Sequence, residues 1–211
     1  MGPGPAMFSS DDCLSDYQTI SPFFPGESIT IRLVSCDSTS TIYIYKGKHQ
    51  IQTIEERMSF FEGNLGEPIR IADINGDGLK DIKLVIPYMG NGLAAENMRI
   101  IYLFQRPGMK FTKIVYMDKM PENRPERDMN KDGNYEIITK TLQEHGAHNY
   151  WLFNIYNFKD NKLVNVNEKF GYPIMVQYLN RDNYTPANID KSILKKYSMK
   201  VPEDYEVKPA K

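Results

Sequence analysis

The sequence predicts an all-β fold built from repeated antiparallel hairpin units, with one short helix near the C-terminus. Three observations carry this. Apolar and polar residues alternate with period two through most of the chain. Fourteen Tyr and ten Phe stand beside a single Trp, a composition that favours strands. Turn residues cut the alternating runs into paired segments.

The first run is "SITIRLVS", Ser28 to Ser35. "STIYIYKGKHQIQTIE", Ser40 to Glu55, holds two runs parted by Lys46, Gly47 and Lys48, which is a hairpin signal. "RIIYLFQRPGMKFTKIVY", Arg99 to Tyr116, repeats the plan with its turn at Pro107 and Gly108. "YWLFNIYNFKDNKLVNVN", Tyr150 to Asn167, turns around Asp160 and Asn161. Between the second and third of these hairpins, "MDKMPENRPER" (Met117 to Arg127) reads as an exposed connection, marked by its prolines and charges. "NIDKSILKKYS", Asn188 to Ser198, predicts the short helix, capped by Asn188 or Asp190. The tail "VPEDYEVKPAK" reads as extended or frayed.

The chain has 211 residues, 41% of them hydrophobic, enough to bury a core. A net charge of −1 argues against a general nucleic-acid binder. No apolar run is long enough to span a membrane as a helix. "MGPGPAMFSS" has neither a basic nor an apolar leader segment, so it does not read as a signal peptide. Met1 to Met7 read instead as a cloning scar before a mature chain, leaving one β domain over 8–211. Cys13 and Cys36 leave two alternatives open, a disulfide in an exported protein or two reduced thiols.

Two acidic stretches stand out, "DINGDGLKDI" from Asp73 and "DMNKDGNYEI" from Asp128. Asp128 stands 55 positions after Asp73, and Glu136 stands 55 after Asp81. Each stretch leads into a short strand, "IKLVIPY" or "IITKTL". A polar loop follows, "MGNGLAAEN" or "QEHGAHN", and then a hairpin. The chain therefore repeats, over about 67–116 and 122–167, with a unit the size of a propeller blade. The hairpin near Tyr43 to Ile54 has the form of a third unit without an acid loop. A compact β-propeller-like domain follows as the expected architecture.

Positions 1, 3, 5 and 9 of the first loop are Asp73, Asn75, Asp77 and Asp81. In the second they are Asp128, Asn130, Asp132 and Glu136. Position 7, Leu79 or Asn134, can add its backbone carbonyl. Position 6, Gly78 or Gly133, suits a turn that needs positive φ. An all-oxygen donor set selects Ca²⁺ over zinc or copper, with Mg²⁺ a weaker candidate. An EF-hand would need Glu at position 12, where Leu84 and Thr139 stand, and helices where these flanks are β-rich. The bland alternative is an Asp/Asn/Gly turn that holds no metal.

"DINGDGLKDI" resembles the calcium loop of FG-GAP and VCBS-type repeat proteins, and "DMNKDGNYEI" is similar with Glu136 in place of the final Asp. The resemblance covers about Glu67 to Asn167. It implies calcium-binding loops that join strands of propeller-type blades. The Phe-Gly and Gly-Ala-Pro pair of the FG-GAP signature is absent, and full propellers of that family have more blades than this chain can hold. Some small periplasmic proteins with such loops are inhibitors, serving as immunity proteins against lysozyme-like effectors. The resemblance thus implies an exported, periplasmic or cell-surface protein whose partner is a peptidoglycan hydrolase. A cell-surface adhesion or glycan-binding module is the alternative.

No nucleophile–base motif, zinc-protease motif, phosphate loop or dinucleotide fingerprint appears, so the expected role is binding rather than catalysis. His145 and His148 lie beside Glu144, but Gly146 places them in a loop rather than at zinc-pair spacing on a helix. Asn91, Glu144, His145 and His148, in the two polar loops, are the expected partner contacts.

Overall fold

A computed structural model describes residues 13–24, 27–36, 39–57, 65, 68–88, 90–120, 124–179 and 183–210. Met1 to Met7, read above as a scar, lie outside the described residues, as do 121–123 of the predicted connection. The described chain is mostly β, in three antiparallel sheets, with two short α-helices. Among the described residues no helix is long and apolar enough to cross a membrane.

The chain divides into two compact units, the first made of 1–65 with 107–111 and the second of 66–106 with 112–210. Unit one is a four-stranded meander of β1 (Leu14–Phe24), β2 (Glu27–Ser35), β3 (Ser40–Lys46) and β4 (His49–Glu56). Period two sends Ile29, Ile31, Leu33, Ile42 and Ile44 to its buried face. Phe23 and Phe111 pack there with ring centroids 6.1 Å apart. Gln52 holds the Phe111 backbone, donating to its carbonyl at 2.8 Å and accepting its N–H at 2.7 Å.

Strand β1 lies outside the predicted runs because Pro22 breaks its alternation. It forms an edge strand, where proline is tolerated, and its register with β2 shifts between Ile20 and Phe24. Leu14 faces Ser35 in that register, so Cys13 comes opposite Cys36, and the two are joined by a disulfide.

Unit two contains β5 (Arg70–Ala72), β6 (Asp81–Pro87), β7 (Asn97–Arg106), β8 (Lys110–Lys119), β9 (Ile137–His145), β10 (His148–Lys159), β11 (Lys162–Asn165), β12 (Ile174–Gln177) and β13 (Glu206–Lys208). One sheet has the order β13-β8-β7-β6-β5. In the other, β10 is central, with β9 on one side and β11 and β12 sharing the other. Their common core includes Val85, Ile100, Tyr102, Phe104, Ile114, Tyr116, Tyr156 and Phe158. Phe104 and Phe158 stack at 3.7 Å between centroids. Ile74 of the first acid loop and Ile137, just after the second, belong to the same core.

The predicted C-terminal helix is α2 (Lys191–Lys196); α1 (Asn167–Phe170) precedes it where the sequence suggested only a strand end. Of the two possible caps for α2, Asp190 is used, accepting the Ser192 N–H at 2.7 Å. The tail is extended but not frayed. Its β13 pairs with β8, and Tyr205 and Val207 pack on the core. The predicted exposed connection is instead pinned. Arg124 donates to the carbonyls of Lys119 and Ile138 and pairs with buried Asp118 at 3.0 Å.

The Cys13–Cys36 bond spans a separation of 23 residues. Closing a loop of that size constrains the unfolded chain by about 3 kcal/mol. Thiol labelling of native, unreduced protein should therefore find no free cysteine, and reduction should lower the stability of unit one by about that amount in a denaturant melt.

Candidate metal centre

The two acid loops close in the same way. Ala72 pairs with Asp81 where β5 meets β6, and Arg127 forms an isolated bridge with Glu136. Each loop thus leaves and re-enters the fold through one antiparallel pair, with the ninth ligand position at the start of the next strand. Gly78 and Gly133 have φ values of 81° and 85°, as the turn requires.

Inside the loops most bonds are equivalent position by position, but the Gly76 N–H, which gives Asp73 Oδ1 a second donor at 2.9 Å, has no counterpart among the described bonds of the second loop. Asp73 accepts the Asp77 N–H at 3.1 Å and the Gly78 N–H at 2.9 Å. Asp128 accepts those of Asp132 and Gly133, both at 3.0 Å. Asp77 takes the Leu79 N–H and Asp132 that of Asn134, each at 2.9 Å. The Asn75 and Asn130 amides donate to Asp77 and Asp132 at 3.0 and 2.6 Å. The Ile74 N–H donates to Asp81 Oδ2 at 2.9 Å, and the Met129 N–H to Glu136 Oε2 at 2.7 Å.

The loops differ at the remaining oxygen of the ninth residue. Asp81 Oδ1 accepts the Gln105 N–H of β7 at 3.0 Å, and the Gln105 side chain in turn accepts the Lys80 N–H. Glu136 Oε1 is buried and has no hydrogen-bond partner. Both side chains are fully buried, with 0% exposure.

Burial pushes the Asp81 carboxyl up to about 7, with Asp77 and Asp73 adding to the rise and the Ile74 and Gln105 N–H groups opposing it. Exposed Asp132 is held below its usual range, first by the Asn134 N–H and the Asn130 amide, then by Lys169, whose ammonium lies 3.6 Å away.

Among the described residues no three His, Cys, Asp or Glu side chains are gathered closely enough to form a ready metal cage. The loop carboxylates face N–H groups of their own loop instead. Each carboxylate oxygen accepting one N–H still has a lone pair to offer. The donor set remains all oxygen, and Glu136 Oε1 is a buried acceptor with nothing to satisfy it. These residues fit a hard cation, with Asp73, Asn75, Asp77 and Asp81, or Asp128, Asn130, Asp132 and Glu136, as side-chain ligands. Carbonyls of Leu79 and Asn134 complete the expected sets. A bound Ca²⁺ would supply positive charge among three carboxylates in each loop.

The expected partner residues are spread over two places. Asn91 is exposed and precedes a 3₁₀ turn at Gly92–Glu96. The predicted "QEHGAHN" loop is mostly strand. β9 and β10 meet in a tight turn at Gly146 and Ala147, flanked by His145 and His148 as a cross-strand pair. Glu144 and His148 are exposed, whereas His145 is half-buried, with Nδ1 3.0 Å from the Tyr197 hydroxyl. Sequence reasoning missed Gln105, which clamps the first loop from 24 residues away, and Gly76, which touches the second loop. No local spacing announces either role.

The raised Asp81 value fixes a sign. The folded form binds a proton more tightly than the unfolded chain, whose carboxyl titrates near 3.8. The Asp81 contribution to stability in chelator, read as the difference between wild type and Asp81→Asn, should be greatest below about pH 4 and fall by roughly 4 kcal/mol as pH rises to about 7. Saturating Ca²⁺ should remove most of that fall. Denaturation midpoints measured from pH 4 to 8, with and without Ca²⁺, check both statements.

No protein-family model, curated protein or solved structure matches this chain.

Proposed function

We propose that this is a calcium-stabilised, exported binding protein, and that its partner is a lysozyme-like cell-wall hydrolase which it inhibits as an immunity protein. The duplicated loop carries the reading. Two loops share five equivalent carboxylate–amide bonds and bury their ninth ligand at a strand start. That repetition supports a cation site that organises strands rather than one that performs chemistry. The disulfide supports export, because such bonds persist in oxidising compartments. We also read each acid loop with its following strands, β6-β7-β8 and β9-β10-β11, as a propeller-like unit.

In this reading the ions stabilise and the polar turns recognise. Gathering three carboxylates around one centre opposes like charges, at about 4 kcal/mol for each pair brought to ~4 Å at an effective dielectric of 20, and a cation would offset that cost. Asn91 and His148, exposed and outside the loops, are the residues proposed to meet the partner.

A second reading, a cell-surface adhesion or glycan-binding module, has one feature in its favour. A cavity of about 330 Å³ is lined by Ile71, Ile74 and the half-exposed Tyr135, with the Lys83–Glu126 ion pair, 2.8 Å long, beside them. An aromatic face beside paired polar groups suits a sugar.

The test is inhibition of a panel of peptidoglycan hydrolases in millimolar Ca²⁺, run beside a glycan array. Asn91→Ala and His148→Ala should weaken hydrolase binding about tenfold at unchanged melting temperature. Asp77→Ala should lower the melting temperature while its folded fraction binds normally. An Asp77→Ala protein that melts normally yet no longer inhibits would overturn the assignment, and binding to glycans alone would select the second reading.

A further inference from the structure

The two acid loops touch. Tyr135, between the second loop's Asn134 and Glu136, donates its N–H to the Ile74 carbonyl of the first loop at 2.8 Å. Ile74 itself lies between Asp73 and Asn75, and its N–H is held by Asp81. One path of two hydrogen bonds therefore runs from the Asp81 carboxylate through the backbone of residue Ile74 to the Asn134–Tyr135 peptide, next to Glu136.

Gly76 makes the second contact. A Cβ placed on it would meet the Gly133 carbonyl oxygen at 2.7 Å and the carbonyl carbon at 2.9 Å. The local conformation does not by itself require glycine there. Gly76 has φ 73°, and Lys131 occupies the equivalent place in the second loop with φ 60°. Close approach to Gly133 accounts for the glycine at 76. Gly133 is in turn the turn glycine whose N–H is held by Asp128.

We propose that the two loops form one coupled pair of cation sites, in which an ion in either loop raises the affinity of the other. This rests on reading the loops as cation sites. Besides the clustered acids, it draws on the wholly buried Glu136, whose Oε2 is bonded within the second loop and whose Oε1 has no partner. Fixing Asp81 by an ion fixes Ile74, and through it the Asn134–Tyr135 peptide, whose carbonyl is the expected position-7 ligand of the second loop. Fixing Gly133 constrains Gly76 in the same way. Repulsion between two cations opposes this coupling. The two direct backbone contacts between the loops are proposed to outweigh that repulsion.

The experiment is calorimetric titration with CaCl₂ at physiological salt on chelator-stripped protein. Asp132→Asn leaves only the first site and Asp77→Asn only the second. The product of the two wild-type association constants should exceed the product of the two single-site constants by about fivefold or more. Gly76→Ala should bring that ratio close to one while two ions still bind, and Lys131→Ala should leave it unchanged. A wild-type ratio at or below one overturns the coupling while leaving two independent sites. Absence of any Ca²⁺ binding overturns instead the reading of the loops as cation sites. If Gly76→Ala does not fold, the wild type and the two Asp→Asn variants still give the ratio.

Discussion

A carboxylate buried at the first residue of a strand constrains everything around it. Asp81 opens β6 and Glu136 lies immediately before β9, and neither side chain reaches solvent. A buried carboxylate must find donors or positive charge, or else give up its ionised form. Asp81 finds two backbone N–H groups, one from its own loop and one from β7. That requirement sets the curl of the acid loop and ties the strand that follows to its neighbour in the sheet.

The sheets turn this local constraint into a rigid frame. Gln105 reaches Asp81 from the end of β7, next to the aromatic run of Tyr102 and Phe104. Phe104 stacks on Phe158 of β10, the strand that pairs with β9, which follows the second loop. Ile74 and Ile137 add one apolar anchor at each loop. Both loops are thus held by one core within unit two. In the proposed reading, this is why a cation would serve stability first.

Much of this was legible in the sequence, for identifiable reasons. Strands with strict alternation, β2 and β3, and hairpins turning at Gly47, Gly108 and Asp160, follow from local chemistry. So do the repeated donor positions, because the bonds that shape each loop join residues two to seven apart. Strand β1 was not legible, because Pro22 spoils its pattern and only an edge position admits it. The tail strand β13 was hidden as well, since three residues pairing with β8 carry little local signal. Arg124 looked like an exposed connector residue until Asp118, a buried acid, was seen beside it. Gln105 and the Gly76–Gly133 contact depend on tertiary placement alone.

The exchange of Asp for Glu at the ninth position makes the two loops unequal. Asp81 uses both oxygens on N–H groups, one of them from outside the loop, so the first loop is tied into the sheet without a cation. Glu136 carries one more methylene and keeps only the Met129 N–H. Its second oxygen is left buried and unmet, which costs on the order of 1–3 kcal/mol in a folded protein. An ion that satisfied this oxygen would relieve that penalty, whereas at Asp81, whose carboxyl is already pushed up to about 7 by burial, an ion would instead stabilise the ionised form. Against this, Lys169 stands 3.6 Å from Asp132 and already supplies the second loop with some positive charge. That ammonium is half-exposed and screened, whereas Glu136 is buried, so the orphaned oxygen is the larger effect. In the proposed reading, the second loop's ion therefore completes an unmet acceptor, and the first loop's ion offsets the cost of a buried charge.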